Sequence, residues 1–146
     1  MKVFPFFPQQ EQSDCGLACI RMVAAYYNID FDYENQPSFT KLINEKGISM
    51  LYLTRIAEQL GFRVQSYQAS FDELKSDIQL PCIVHWEHNH YMVLYQFQER
   101  NVLVADPAYG LRSLTNDGFK AGWQKSTKNN SPAFGVAMQM KLWAVI

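Results

Sequence analysis

Gln9 stands six residues ahead of Cys15 in the run Gln9-Gln10-Glu11-Gln12-Ser13-Asp14-Cys15-Gly16, and helix-forming sequence follows Cys15 directly. A cysteine in the first turn of a helix meets free backbone N–H groups and the positive end of the helix dipole, both of which favour a thiolate. A glutamine shortly upstream can lend its side-chain N–H to a developing oxyanion. These are half of the parts of a cysteine-nucleophile site. The other half is a histidine and a group that orients it.

His90 and Asp106 supply that half. His90 opens an apolar run, and Asp106 closes the next one, just before Pro107. If the two runs are antiparallel strands joined at Glu99-Arg100-Asn101, the start of the first lies beside the end of the second. Asp106 could then hold one ring nitrogen of His90 and stabilise the imidazolium that pairs with a thiolate. The order Cys, His, Asp with an upstream Gln is a full set of parts for acyl transfer.

Each residue also has a plainer reading. A buried cysteine packs as a small hydrophobe, a hydrogen-bonded histidine can be structural, and Asp-Pro often ends a strand. A metal reading competes for His90 as well, because His85, His88 and His90 lie within six residues, near Cys82. His88 falls in the expected connection at 87–89 and His85 inside a preceding strand. No second cysteine or carboxylate cluster completes the three or four ligands that zinc takes, so no metal is expected. Cys19 and Cys82 read as core residues, and Asp14 as the N-cap of the helix that carries Cys15.

The elements that must position these groups follow from the apolar pattern. Residues 15–27 are apolar on nearly every side, with Arg21 their only charge, which marks a buried central helix. Residues 28–38 read as a loop, 39–45 as a short helix closed by Gly47, and a helix capped by Ser49 runs to a stop at Gly61. Residues 62–68 alternate as a strand, and Ser70-Phe71-Asp72-Glu73 matches a capping box. Strands are expected at 82–86, 90–97, 102–105 and 134–142. Helices first and strands after predict an α+β domain, a central buried helix packed on an antiparallel sheet.

The 146 residues fit one domain, spanning 1–146, with 48% hydrophobic and 14% aromatic residues. The net charge is -1 with no basic stripe, which argues against nucleic acid as a partner. No apolar run is long enough to cross a bilayer. Residues 1–8 carry one positive charge and a short apolar stretch broken by Pro5 and Pro8. That is no secretory signal and reads as an extended arm packed on the domain. Three cysteines make a poor disulfide framework and fit a cytoplasmic protein.

Four blocks in order give the chain a family resemblance: Gln9 followed by Asp14-Cys15-Gly16-Leu17-Ala18-Cys19; Leu80-Pro81 with His85-Trp86; His90-Tyr91-Met92-Val93-Leu94; and Asp106-Pro107. Together they resemble the C39 family of cysteine peptidases, usually found as N-terminal domains of peptidase-containing ABC transporters. The resemblance implies a papain-like fold that cuts the leader of a bacteriocin or other small secreted peptide after a double-glycine motif. It implies Cys15 as nucleophile, His90 as general base and acid, Asp106 as the orienter of His90, and Gln9 in the oxyanion hole.

By the same resemblance the partners are a double-glycine leader peptide and the membrane and ATPase domains of a transporter. ATP belongs only to that separate ATPase domain, and the setting is the cytoplasmic face of the bacterial inner membrane. The leader would bind as an amphipathic helix in an apolar groove, with Tyr and Phe residues around 26–39 as candidate walls. Some transporters carry a degenerate relative that lacks the nucleophile and only docks substrate; the presence of Cys15 and His90 weighs against that alternative. Tyr91-Met92 departs from the family's commoner phenylalanine and valine, and the last thirty or so residues match least. The apolar end Leu142-Trp143-Ala144-Val145-Ile146 fits a domain excised from a longer transporter, with a stand-alone peptidase as the alternative.

Overall fold

A computed structural model of the chain describes residues 3–11, 13–36, 39, 41, 48–87, 90–124 and 133–143. The apolar run forms helix α1, Cys15–Tyr26, and every residue from Cys15 to Ala24 except Arg21 is buried. Gly16 lets α1 approach the next helix, α2 (Met50–Gln59), closely. A Cβ at this position would stand 2.9 Å from Leu53 Cδ1 and 3.0 Å from Ile48 Cγ2. Ser49 caps α2 by accepting the Tyr52 N–H at 3.3 Å. Gly61, at φ +104, ends it in the left-handed conformation that glycine adopts without strain.

Six strands make one sheet: β1 (Phe62–Ala69), β2 (Cys82–Trp86), β3 (His90–Phe97), β4 (Asn101–Asp106), β5 (Gly110–Thr115) and β6 (Gly135–Leu142). All pairings are antiparallel, in the order β1-β6-β2-β3-β4-β5. One face buries Ile83, Val93, Ala105 and Met138 against α1 and α2. The other buries Val84, Met92, Leu94 and Val104 against Phe71 and Leu74 of α3 (Phe71–Asp77) and Phe119 and Trp123 of α4 (Asn116–Trp123). Covered on both faces, β2, β3 and β4 are apolar almost throughout, as buried strands must be. The architecture is the expected α+β one, with the buried helix on an antiparallel sheet.

The capping box at the start of α3 is present, with Ser70 and Glu73 bonded reciprocally. The N-terminal arm packs on the domain through Phe4, whose ring stacks on Tyr95 at a centroid separation of 4.5 Å. Two elements were not foreseen from the sequence, β5 and α4. Residues 28–36 are also more ordered than a plain loop: Tyr33–Asn35 forms a 3-10 turn, and Phe31 and Tyr33 are buried. Most of the short helix expected at 39–45, its closing Gly47, and residues 144–146 lie outside the described residues. Among the described residues no helix is long and apolar enough to cross a membrane.

The β3–β4 hairpin contains one irregularity that matters for the site. Val93 pairs with Ala105 and Leu94 with Val104, but beyond Tyr95 the register shifts, so that Gln96 pairs with Leu103. Continued one step, the inner register sets Asp106 opposite Met92, two residues from His90, so both side chains leave the same face. Had the outer register continued, Asp106 would oppose Val93 and His90 would leave the opposite face, since side chains alternate along a strand.

Candidate active site

Cys15 is the first residue of α1 and is only 3% exposed. The N–H groups of a helix's first turn have no partner within the helix, so this position favours a thiolate. His90 opens β3 across from it. Its Nε2 lies 2.7 Å from Asp106 Oδ1, which leaves Nδ1 for the Cys15 side chain, with which the ring is hydrogen-bonded. The structure therefore brings Cys15, His90 and Asp106 together from a helix start, a strand start and a strand end.

The electrostatics follow from that contact. Burial opposes a charge on His90, but the Asp106 carboxylate and Cys15 outweigh it and push its pKa up to about 9. Burial likewise disfavours the Asp106 carboxylate, which is 1% exposed. Bonds from His90, the Ala108 N–H at 2.9 Å and Arg112 Nη1 at 3.0 Å hold it below the usual range all the same. At neutral pH the pair is thus an imidazolium on a carboxylate.

Arg112 is a functional neighbour that sequence reasoning missed. It follows from β5: Asp106 pairs with Gly110, so Arg112, two residues on, projects from the same face and reaches Asp106 Oδ2. The run Leu111-Arg112-Ser113-Leu114 does not alternate apolar and polar residues, so the sequence carried no strand signal here.

Gln9 lies beside the same group. Its backbone N–H donates to Pro107 O at 2.9 Å, tying the loop before α1 to the end of β4. Its Nε2 donates to Glu11 O at 2.8 Å, and its buried Oε1 has no partner among the described residues. An amide nitrogen carries two protons, so one remains to be donated elsewhere. A cavity of about 720 Å³ opens here, lined by Gln9, His90, Asp106, Trp86, Tyr109 and Arg112 among others.

Asp14 corrects an expectation. It occupies the N-cap position, but its side chain makes no capping bond to α1. It turns back instead and accepts from the loop before the helix, at Gln10 and Glu11, and from Tyr33.

Two of the remaining candidates pack in the core. Cys19 and Cys82 are fully buried, and burial pushes the Cys19 thiol up and that of Cys82 to about 12. None of the three cysteines is in a disulfide. His85 packs edge-tilted on Tyr91, at 5.3 Å between centroids. Among the described residues no group of three His, Cys, Asp or Glu side chains is placed to hold a metal, and His88 lies outside them. Of the candidate groove walls around 26–39, Tyr33 is buried, Phe31 is buried but borders a surface cavity of about 290 Å³ with Phe7 and Ile29, and Tyr26 is 51% exposed.

Comparison with known proteins gives a consistent picture. The model of the peptidase C39 family matches residues 3–128. The colicin V secretion/processing ATP-binding protein CvaB of Escherichia coli is 32% identical over 115 residues, which cover 77% of this chain and 16% of that protein. The lactococcin-G-processing and transport ATP-binding protein LagD of Lactococcus lactis is 32% identical over 123 residues, 79% of this chain and 17% of the relative. The chain thus spans about a sixth of the length of these curated relatives. Among solved structures, a double glycine motif protease from an AMS/PCAT transporter, in complex with the leader peptide, superposes with a TM-score of 0.81 at 26% identity, covering 95% of this chain and 91% of that one. The α+β fold is the papain-like one of these peptidase domains.

Proposed function

The chain belongs to the peptidase C39 family of cysteine peptidases, and from that premise we propose that it cuts the leader of a small exported peptide after a double-glycine motif, as a domain of an ABC transporter. The observation that carries this reading is the contact of His90 with both Cys15, at the first position of α1, and Asp106 at 2.7 Å.

In this reading the Cys15 thiolate attacks the carbonyl carbon of the second glycine. The C=O electron pair moves onto oxygen, and the oxyanion is held by the Cys15 backbone N–H and the second Nε2 proton of Gln9. The C–N bond then breaks, and the His90 imidazolium gives its proton to the leaving amine. The neutral ring next takes a proton from water, whose oxygen attacks the acyl-enzyme and releases the leader with a carboxylate at its second glycine. Asp106 keeps Nε2 protonated throughout and so fixes which ring nitrogen faces the thiol. Because Cys15 is only 3% exposed, a peptide must come very close to reach it. Residues without a Cβ suit that approach, which is what a requirement for two glycines means physically.

The setting is inferred from the relatives, which are secretion/processing or transport ATP-binding proteins about six times longer than the matched segment. Membrane and ATPase domains of a transporter are the proposed partners, at the cytoplasmic face of a bacterial inner membrane, with ATP bound only in the ATPase domain. The leader's upstream residues are proposed to dock as an amphipathic helix on an apolar surface.

The test is incubation with a double-glycine leader peptide and mass analysis of the products, beside the Cys15→Ala variant. Cleavage after the second glycine by the parent alone supports the reading. No cleavage by the parent, with equal binding by both proteins, identifies a substrate-docking domain instead.

A further inference from the structure

Asp14 is a buried acid, 4% exposed, immediately before the nucleophile, and the mechanism above gives it no task. Its contacts converge on one place. Oδ2 accepts the Gln10 N–H at 3.1 Å, and Oδ1 accepts the Glu11 N–H at 3.0 Å. The Asp14 backbone N–H donates to Glu11 O at 3.4 Å, the same oxygen that receives Gln9 Nε2 at 2.8 Å. Asp14 thus grips the Glu11 peptide groups from both sides, and Glu11 O in turn fixes the Gln9 amide. From a distant segment, Tyr33 donates its hydroxyl to Asp14 Oδ2 at 2.6 Å. Burial first, and then this bond, keep Tyr33 in its phenol form, so it acts as a donor.

A helix cap would have left these loop amides to find other partners. Here a carboxylate satisfies them at the cost of its own capping bond, and buried N–H groups demand such a partner. The arrangement has a directional consequence. Gln9 Nε2 uses one proton on Glu11 O, and the planar amide then fixes where its other proton points. That direction is set by Glu11, and Glu11 is set by Asp14.

We propose that Asp14, backed by Tyr33, is a positioning residue for the oxyanion site, acting through the Gln10–Glu11 loop on the Gln9 side chain. The proposal rests on the peptidase reading, because an oxyanion site has no purpose in a docking domain. It assigns catalytic consequence to a buried phenol nineteen residues downstream of Asp14.

The test is a double-mutant cycle, which isolates residues that act as one unit. In the parent background Asp14→Asn, which keeps shape but loses one anionic acceptor, lowers kcat on a double-glycine leader peptide about tenfold with KM nearly unchanged, a fraction of the 10²–10³ that removal of an oxyanion donor costs. Tyr33→Phe lowers kcat by a smaller factor. In a Gln9→Ala background Asp14→Asn costs less than about twofold, because the group it positions is gone. The rate of Cys15 alkylation by iodoacetamide reads the thiol and His90 without the oxyanion site, and it does not fall in Asp14→Asn or Tyr33→Phe.

An equal loss of kcat in both backgrounds, or a parallel fall in alkylation, overturns the proposal in favour of a merely structural acid. If Asp14→Asn does not fold, Tyr33→Phe carries the same cycle. A parent that alkylates normally but cuts no leader peptide sinks the peptidase reading, and this proposal with it.

Discussion

His90 Nε2 and Asp106 Oδ1 meet at 2.7 Å because β3 carries one residue more than β4 opposite Tyr95. A regular hairpin would have put His90 and Asp106 on opposite faces of the sheet. The imidazolium–carboxylate pair is therefore a product of strand register as much as of residue type. The second anchor on Asp106, Arg112, comes from the neighbouring strand, so three strand segments fix one carboxylate.

Arg112→Met removes one of the donors that hold Asp106 in place. The ion pair is partly exposed, with the Arg112 side chain 38% accessible, so it adds little to stability, about 1 kcal/mol or less. Its effect on rate is larger, about three- to tenfold in kcat, since small shifts of an orienting group cost catalysis disproportionately. Thermal unfolding and steady-state kinetics on a leader peptide check the two sides. A large drop in Tm with kcat unchanged would mean that Arg112 serves the fold alone.

The pH dependence of stability reads His90 directly. Folded, the ring keeps its proton to about pH 9; unfolded, it loses it near pH 6.5. The folded state therefore binds more protons across that window, and its stability falls as pH rises through it. Relative to His90→Gln, the parent's advantage in urea unfolding is full below about pH 6.5 and gone above about pH 9. Asp106, held below its ordinary range, works the other way: its contribution is present at neutral pH and is lost on acidification through the carboxylate range. A parent advantage that grows between pH 6.5 and 9 would contradict the ion-pair account.

Gly16→Ala tests the close approach of α1 and α2. Alanine favours a helix over glycine by up to about 1 kcal/mol. The new methyl would meet Leu53 and Ile48 at 2.9 and 3.0 Å, and overpacking of this kind costs about 1–3 kcal/mol. The net effect expected in denaturant unfolding is a loss of stability, and a stabilised variant would show that α2 yields freely.

Chelation separates the histidine cluster from the thiol site. Treatment with EDTA or phenanthroline is expected to leave leader cleavage unchanged, because the proposed chemistry uses only Cys15, His90, Asp106 and Gln9. Loss of activity, restored by zinc, would reinstate His85, His88 and His90 as ligands.

Much of this was legible in the sequence, and the gaps have physical causes. α1, β2, β3 and β6 are apolar along their length, so their pattern is strong. β5 alternates half-buried and exposed residues on an edge of the sheet, and α4 begins Asn116-Asp117-Gly118, which reads as a turn until Thr115 is seen to cap it at 3.0 Å. Cys15, His90, Asp106 and Gln9 could be singled out because their chemistry is distinctive and a hairpin suffices to bring two of them near. The shift at Tyr95 leaves no trace in residue type. Asp14 was misread because an acid before a helix has a good local explanation as a cap, while its actual partner Tyr33 lies in a segment without periodicity. Long-range hydrogen bonds of that kind depend on tertiary packing that a one-dimensional pattern does not encode.

The central claim is that Cys15 is the nucleophile and that the site takes two glycines before the cut. A leader peptide ending in a Gly-Gly chloromethyl ketone, followed by peptide mapping of the modified protein, tests both at once. The account predicts one adduct per chain, on Cys15 alone, lost in His90→Ala and not formed by the corresponding Ala-Ala reagent. Labelling of Cys19 or Cys82, or equal labelling by the Ala-Ala reagent, would contradict it.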